Sequence, residues 1–348
     1  MSKQLRRAGM AIVLALTMVM ITACGGSQSS GGSGSGGGSG GGNGQVAAII
    51  KGLDNPFFQT MQQGITTQAK IQGTNVTVQA AASITDTTGQ ADKVQALAGQ
   101  NYACFLVNPI SQTNLVQPLV PVSQANKPIV NIDSPIGADA AQAANLKIST
   151  YIGTDNVSAG KSGAEEMAKL IPGGGDVALV GGIAGDATSQ ARLKGFQQGA
   201  ASNLKVVQTV AADWDRQKAL TAAGDILRAR PNLKGFFVAN DDMGLGVTRA
   251  IANAGKQGQV KVVSVDGIQD ALKAVQDGTL SSTVAQYPYA IGSMGMEACK
   301  AAMAGKTLPK NVIAPVLVVT KDNAAKALSS FPKPFDKYDD PFPALIGQ

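Results

Sequence analysis

The 348-residue chain contains no histidine. That absence excludes Ser-His-Asp triads, imidazole metal sites and imidazole-based pH switching. Cysteine is scarce, occurring only at Cys24, Cys104 and Cys299. No apolar run reaches the roughly 20 residues that a bilayer-spanning helix needs. The formal charge is +6, yet the lysines and arginines form no cluster interleaved with aromatics, which argues against nucleic acid as a partner. The Gly-rich stretch at 181–185 lacks both the G-x-G-x-x-G and the G-x-x-x-x-G-K-[ST] spacings, so it is read as close backbone packing rather than a phosphate cradle.

What is present at the N-terminus is an export signature. Lys3, Arg6 and Arg7 precede an apolar run over 8–23 that has signal-peptide length. The run ends in Ile21-Thr22-Ala23-Cys24, which resembles the bacterial lipobox and marks Cys24 as a lipidation site. Residues 25–44 are Gly and Ser with one Gln and one Asn. They have nothing to bury against the entropy of ordering, so a flexible tether of about 25 Å is expected. Removal of 1–23 deletes three positive charges and leaves +3. Of the remaining cysteines, Cys104 and Cys299 are read as two buried free thiols, although an exported compartment permits a disulfide.

About 300 residues remain from Gln45 onward, enough for two domains. Short β-branched runs (46–50, 76–80, 103–107 and 129–132, then 176–180, 205–210, 235–239, 261–265, 283–285 and 316–319) alternate with amphipathic helical segments. Phe58, Met61, Ile65 and Ala69 share one face of the first helix. Unbroken apolar strands between such helices indicate an α/β fold with parallel sheets covered on both faces. The pattern pauses near Tyr151-Gly153-Thr154 and resumes, outlining two lobes. The Pro- and aromatic-rich segment from Phe331 is expected to form a non-helical strap over one lobe.

Ligands of open parallel sheets bind beyond the carboxyl ends of the strands. Those ends carry Asp54-Asn55-Pro56-Phe57-Phe58, Asn108-Pro109 and Asp133-Ser134-Pro135 in the first half. The second half offers Asp213-Trp214-Asp215, Asn240-Asp241-Asp242, Asp266-Gly267 and Gln286. Each alone reads as a turn or a helix cap. Together they supply carboxylates, amides and aromatic faces, a set suited to a neutral, hydroxyl-rich ligand.

These motifs, with Val130-Asn131-Ile132-Asp133, Gly182-Ile183-Ala184-Gly185 and Gly195-Phe196-Gln197-Gln198, resemble periplasmic sugar-binding proteins of the ribose-binding type over nearly all of 45–322. The resemblance implies two Rossmann-like lobes joined by three hinge crossovers, the type I periplasmic-binding-protein fold. Crossovers are expected near Gly153-Thr154, Gln286-Tyr287 and Ala314-Pro315. The implied organisation is a signal peptide (1–23), a lipidated tether (24–44), a first lobe (45–153 with 287–314), a second lobe (154–286 with 315–328) and a strap (329–348). The implied ligand-binding set is Asn55, Phe57, Phe58, Asn108, Asp133, Gln190, Trp214, Asn240, Asp266 and Gln286.

Departures from the ribose pattern are equally informative. Ser134 stands where that pattern has Arg, Gln190 stands in place of a second Arg, and Val265 replaces an aromatic. Arg192, two residues past Gln190, is read as a surface helix residue. Loss of two guanidinium forks argues for a monosaccharide or sugar alcohol other than ribose. The acidic pairs Asp241-Asp242, Glu165-Glu166 and Asp339-Asp340 are read as caps and solvated faces, so no enzyme activity, cofactor or metal is expected. The expected function is solute capture for ABC permease subunits by a monomer that touches the membrane only through its lipid. A sensory receptor using the same cleft is the alternative.

Overall fold

A computed structural model describes residues 44–347; the signal segment, Cys24 and the tether up to residue 43 lie outside the described residues. The chain runs β1 (Val46–Ile50), α1 (Pro56–Gln72), β2 (Val76–Ala80), α2 (Thr87–Ala98), β3 (Cys104–Val107), α3 (Val116–Gln124), β4 (Ile129–Ile132), α4 (Ala138–Ala143) and β5 (Thr150–Gly153). It continues through α5 (Asn156–Leu170), β6 (Gly175–Gly181), α6 (Ala187–Gly199), β7 (Leu204–Ala211), α7 (Arg216–Ala229), β8 (Gly235–Val238), α8 (Asp241–Asn253), β9 (Lys261–Asp266), α9 (Gln269–Asp277) and β10 (Ser282–Ala285). α10 (Pro288–Met303), β11 (Asn311–Ile313), β12 (Leu317–Val319), α11 (Ala324–Ser330) and α12 (Phe342–Ile346) follow.

Two six-stranded sheets result, ordered β11-β5-β4-β3-β1-β2 and β12-β10-β9-β8-β6-β7. The described ladders are parallel except that of β10 with β12. The chain changes sheet after β5, after β10 and after β11, which gives three crossings between the two lobes. β1, β3 and β8 are buried along their whole length because helices cover both faces, and this explains their lack of polar alternation. β2 and β7 sit at sheet edges and are correspondingly less buried.

Several expectations are corrected. Cys104 on β3 and Cys299 on α10 form a disulfide, with Cα atoms 5.8 Å apart, instead of two free thiols. The reason is topological. After its second crossing the chain lays α10 over β3, β4 and β5, bringing together two cysteines 195 residues apart. β5 and β11 lie outside the expected strands: β5 falls in the apparent pause, and β11 is a three-residue edge strand with both ends exposed. The C-terminal segment is not wholly irregular. α12 forms one short helix with Pro343 in its first turn, where a missing N–H costs nothing, and it packs on α10 through the fully buried Phe342.

Candidate functional site

The carboxyl ends of both sheets face one cavity. Lys51, Asn55, Phe57, Phe58, Ile84, Ile110, Asp133 and Ser134 line it from the first lobe. Ile183, Asp186, Thr188, Arg192, Trp214, Asn240 and Asp266 line it from the second.

Asn55 caps α1: its Oδ1 accepts from Phe57 N at 2.9 Å, with Pro56 in the first turn. Asn240 caps α8 in the same way, accepting from Met243 N at 3.0 Å. Capping and a place in the cavity wall therefore coexist. Each cap occupies Oδ1 and so fixes the amide orientation, and each Nδ2 is left without a partner among the described residues. Phe57 and Phe58 are both buried and meet edge to face at 5.2 Å, forming an apolar wall.

Asp133 follows β4 with φ 60°, a left-handed conformation that Asp tolerates better than most residues. The Tyr151 hydroxyl donates to its backbone O at 2.6 Å, and Ser134 Oγ donates to its Oδ2 at 3.1 Å. Burial and the charge of Asp133 hold the Tyr151 phenol above its ordinary value, with Arg192 opposing. Lys51, directly after β1, donates to Ser134 Oγ at 2.7 Å and stands 3.8 Å from Asp133 Oδ2.

Across the cavity Asp266 is buried against Arg192, whose Nη1 lies 3.4 Å from its Oδ1. Gln286 Nε2 donates to the same oxygen at 2.5 Å. Burial raises the Asp266 carboxyl well above its usual range; Arg192 lowers it, while Asp241 and Asp133 push it further up. Arg192 is held by Asn156 Oδ1 at 2.8 Å and Ala239 O at 2.6 Å. Its Nη2 has no hydrogen-bond partner among the described residues. Trp214, with φ 63°, places its ring centroid 5.8 Å from the Arg192 Cζ. A Cβ at Gly182 would collide with that indole, so the Gly-rich loop makes room for an aromatic wall.

Asn55, Phe57, Phe58, Asp133, Trp214, Asn240 and Asp266 thus surround one space. Asn108 and Gln286 are buried outside the lining: Asn108 Nδ2 meets Met61 Sδ at 3.5 Å, and Gln286 stands behind Asp266. Gln190 is exposed and outside the cavity. The inward face of α6 is Ser189, Arg192 and Phe196, spaced at i, i+3 and i+7, and Gln190 falls off that face. Arg192 is therefore a buried part of the cavity wall rather than a surface residue. Lys51 also lines the cavity without belonging to any of the sequence motifs; its one sequence signal is that it directly follows β1.

The chain matches the family described as periplasmic binding protein domain over residues 46–307. It is 39% identical over 269 residues to the D-allose-binding periplasmic protein of Escherichia coli K12, covering 76% of this chain and 86% of that one. It is 30% identical over 310 residues to the ribose import binding protein of Bacillus subtilis 168, covering 89% and 98%. The crystal structure of an ABC transporter periplasmic solute binding protein from Actinobacillus succinogenes 130z with bound D-allose superposes with a TM-score of 0.77 at 30% identity, covering 81% of this chain and 99% of that one. The chain belongs to the periplasmic binding protein family.

Proposed function

We propose that this protein captures a neutral aldohexose in pyranose form, D-allose being the first candidate, and hands it to an ABC importer. The observation that carries the reading is the pairing of Asp133 and Asp266, two hydroxyl acceptors, with Lys51 and Arg192 in one cavity walled by Phe57, Phe58 and Trp214. Lys51 and Arg192 each stand against a carboxylate, and Asp186 adds a third at the wall, so the lining has no surplus cation for an anionic ligand and suits an uncharged one with many hydroxyls. Free donors at Asn55 Nδ2, Asn240 Nδ2 and Arg192 Nη2 extend the set. One ground for excluding ribose falls, since Arg192 supplies a guanidinium; the other stands, since Ser134 and Lys51 occupy the space beside Asp133. A flexible lysine serves an additional hydroxymethyl group better than a furanose edge. The names of the D-allose-binding matches support the same choice.

Capture follows from the crossings: ligand bridging both lobes favours the closed arrangement over the open one. Export, lipidation at Cys24 and delivery to permease subunits by a monomer complete the reading. They are supported by the lipobox-like Ile21-Thr22-Ala23-Cys24, by the disulfide and by the periplasmic relatives. Isothermal titration calorimetry on ligand-stripped protein tests it with D-allose, D-ribose and ribitol. D-Allose should bind at least tenfold more tightly than D-ribose. Tighter binding of ribose, or no heat with any of the three, would overturn the ligand assignment.

A further inference from the structure

Asp241 opens α8, where a carboxylate is ordinarily solvated, yet it is fully buried. Its Oδ1 accepts from Ser264 Oγ at 2.5 Å and from Thr283 Oγ1 at 2.7 Å. Its Oδ2 accepts from the backbone N–H groups of Gly267 and Ile268, at 2.7 and 2.9 Å. The donors come from β9, from β10 and from the turn that immediately follows Asp266.

That turn is an unusual piece of backbone. Asp266 has φ 139° and Gly267 has φ 78°, consecutive values in a region that L residues rarely adopt. A Cβ at Gly267 would collide with Ala285 on β10, so the turn is pressed against the neighbouring strand. Two amides pointing at one buried carboxylate hold the chain in this shape. The shape in turn sets where the Asp266 carboxylate lies between Arg192 and Gln286.

We propose that Asp241 is a positioning residue for sugar recognition, tying down the Gly267–Ile268 amides so that Asp266 meets the ligand in a fixed orientation. This inference rests on the reading of the cavity as a sugar site. Asp241 touches no ligand and acts through Asp266. The competing account is a structural node that stabilises the second lobe with no special effect on the site.

The two accounts separate in a double-mutant cycle, read by calorimetric titration of the full chain with D-allose and, in parallel, D-ribose. Asp241→Ala should weaken binding at least tenfold, but by less than threefold when Asp266→Asn is already present. Asp241→Asn should restore most of the affinity, because its Oδ1 can accept both amides while the Ser264 and Thr283 hydroxyls turn to accept from Nδ2. A second variant tests the same link from the amide side. Ile268→Pro suits the local φ of −67° and deletes one of the two amide donors. It should weaken binding about threefold or more, again only with Asp266 intact. Equal losses in both backgrounds, or no loss with either variant, would overturn the inference and leave the sugar site standing. Unchanged binding by Asp266→Asn, or no binding of either sugar by the unmodified protein, would overturn both.

Discussion

Removal of the Cys104–Cys299 bond is a perturbation whose size follows from the topology. The bond closes a loop of 195 residues between β3 and α10, and both cysteines are fully buried. In the chain-entropy treatment such a loop restricts the unfolded ensemble by about 18 cal/mol/K, or about 5 kcal/mol at 25 °C. For a domain of this size about 2–4 °C accompanies each kcal/mol, so the double variant Cys104→Ala/Cys299→Ala should melt roughly 10 °C or more below the parent. Differential scanning calorimetry reads the shift. The bond lies within one lobe and away from the cavity, so sugar affinity below the transition should be unaltered. Reductant should act on the parent only after unfolding, because solvent does not reach either sulfur in the folded state. Two titratable thiols in the guanidinium-unfolded, unreduced protein would refute the reasoning, as would a double variant that melts within 2 °C of the parent.

Three further outcomes are expected. Asn55→Asp keeps an N-cap acceptor but removes the Nδ2 donor, so affinity should fall at least tenfold with little change in melting. Asn55→Ala should lose affinity and, in addition, about 1 kcal/mol of stability. Gly182→Ala places a methyl group against the Trp214 indole and should displace it, weakening sugar binding and shifting the tryptophan emission. Glu297 on α10 lies buried beside Asp340, with Tyr338 and Tyr289 near. Burial first, and then the hydrogen bond and charge of Asp340, push its carboxyl up to about 8. The folded protein therefore retains a proton that the unfolded chain releases above about 4.5, the ordinary value. Stability from this group is complete below that pH and declines as the pH rises toward 8. Glu297→Gln should flatten that decline and raise the midpoint at pH 8, which melting curves from pH 5 to 8 will show.

The parts of the fold legible in the sequence are those set by local chemistry. Val46–Ile50 is a buried strand because nothing in it needs water, and Asn55-Pro56 starts a helix wherever the chain goes next. The sheet-end rule located Asp133, Trp214, Asn240 and Asp266 around one cavity because parallel strands deliver their following residues to the same edge. Long-range geometry was not legible. Whether Cys104 meets Cys299 depends on where α10 returns, and no spacing encodes that. Arg192 faces the cavity because α6 packs with Ser189, Arg192 and Phe196 inward, and which face of a weakly amphipathic helix meets the sheet is decided by packing rather than by spacing. Asp241 has the sequence signature of a solvated helix start, and only the return of β9 and β10 beside α8 buries it.

The central claim, that a sugar binds between Trp214 and the two carboxylates, has a built-in reporter, since Trp214 is the only tryptophan in the chain. The decisive measurement is intrinsic fluorescence during titration with D-allose, run beside calorimetry. The account expects a saturable change in emission at the same midpoint as the heat, abolished by Asp266→Ala. Heat of binding with unchanged emission would place the ligand elsewhere and contradict the account.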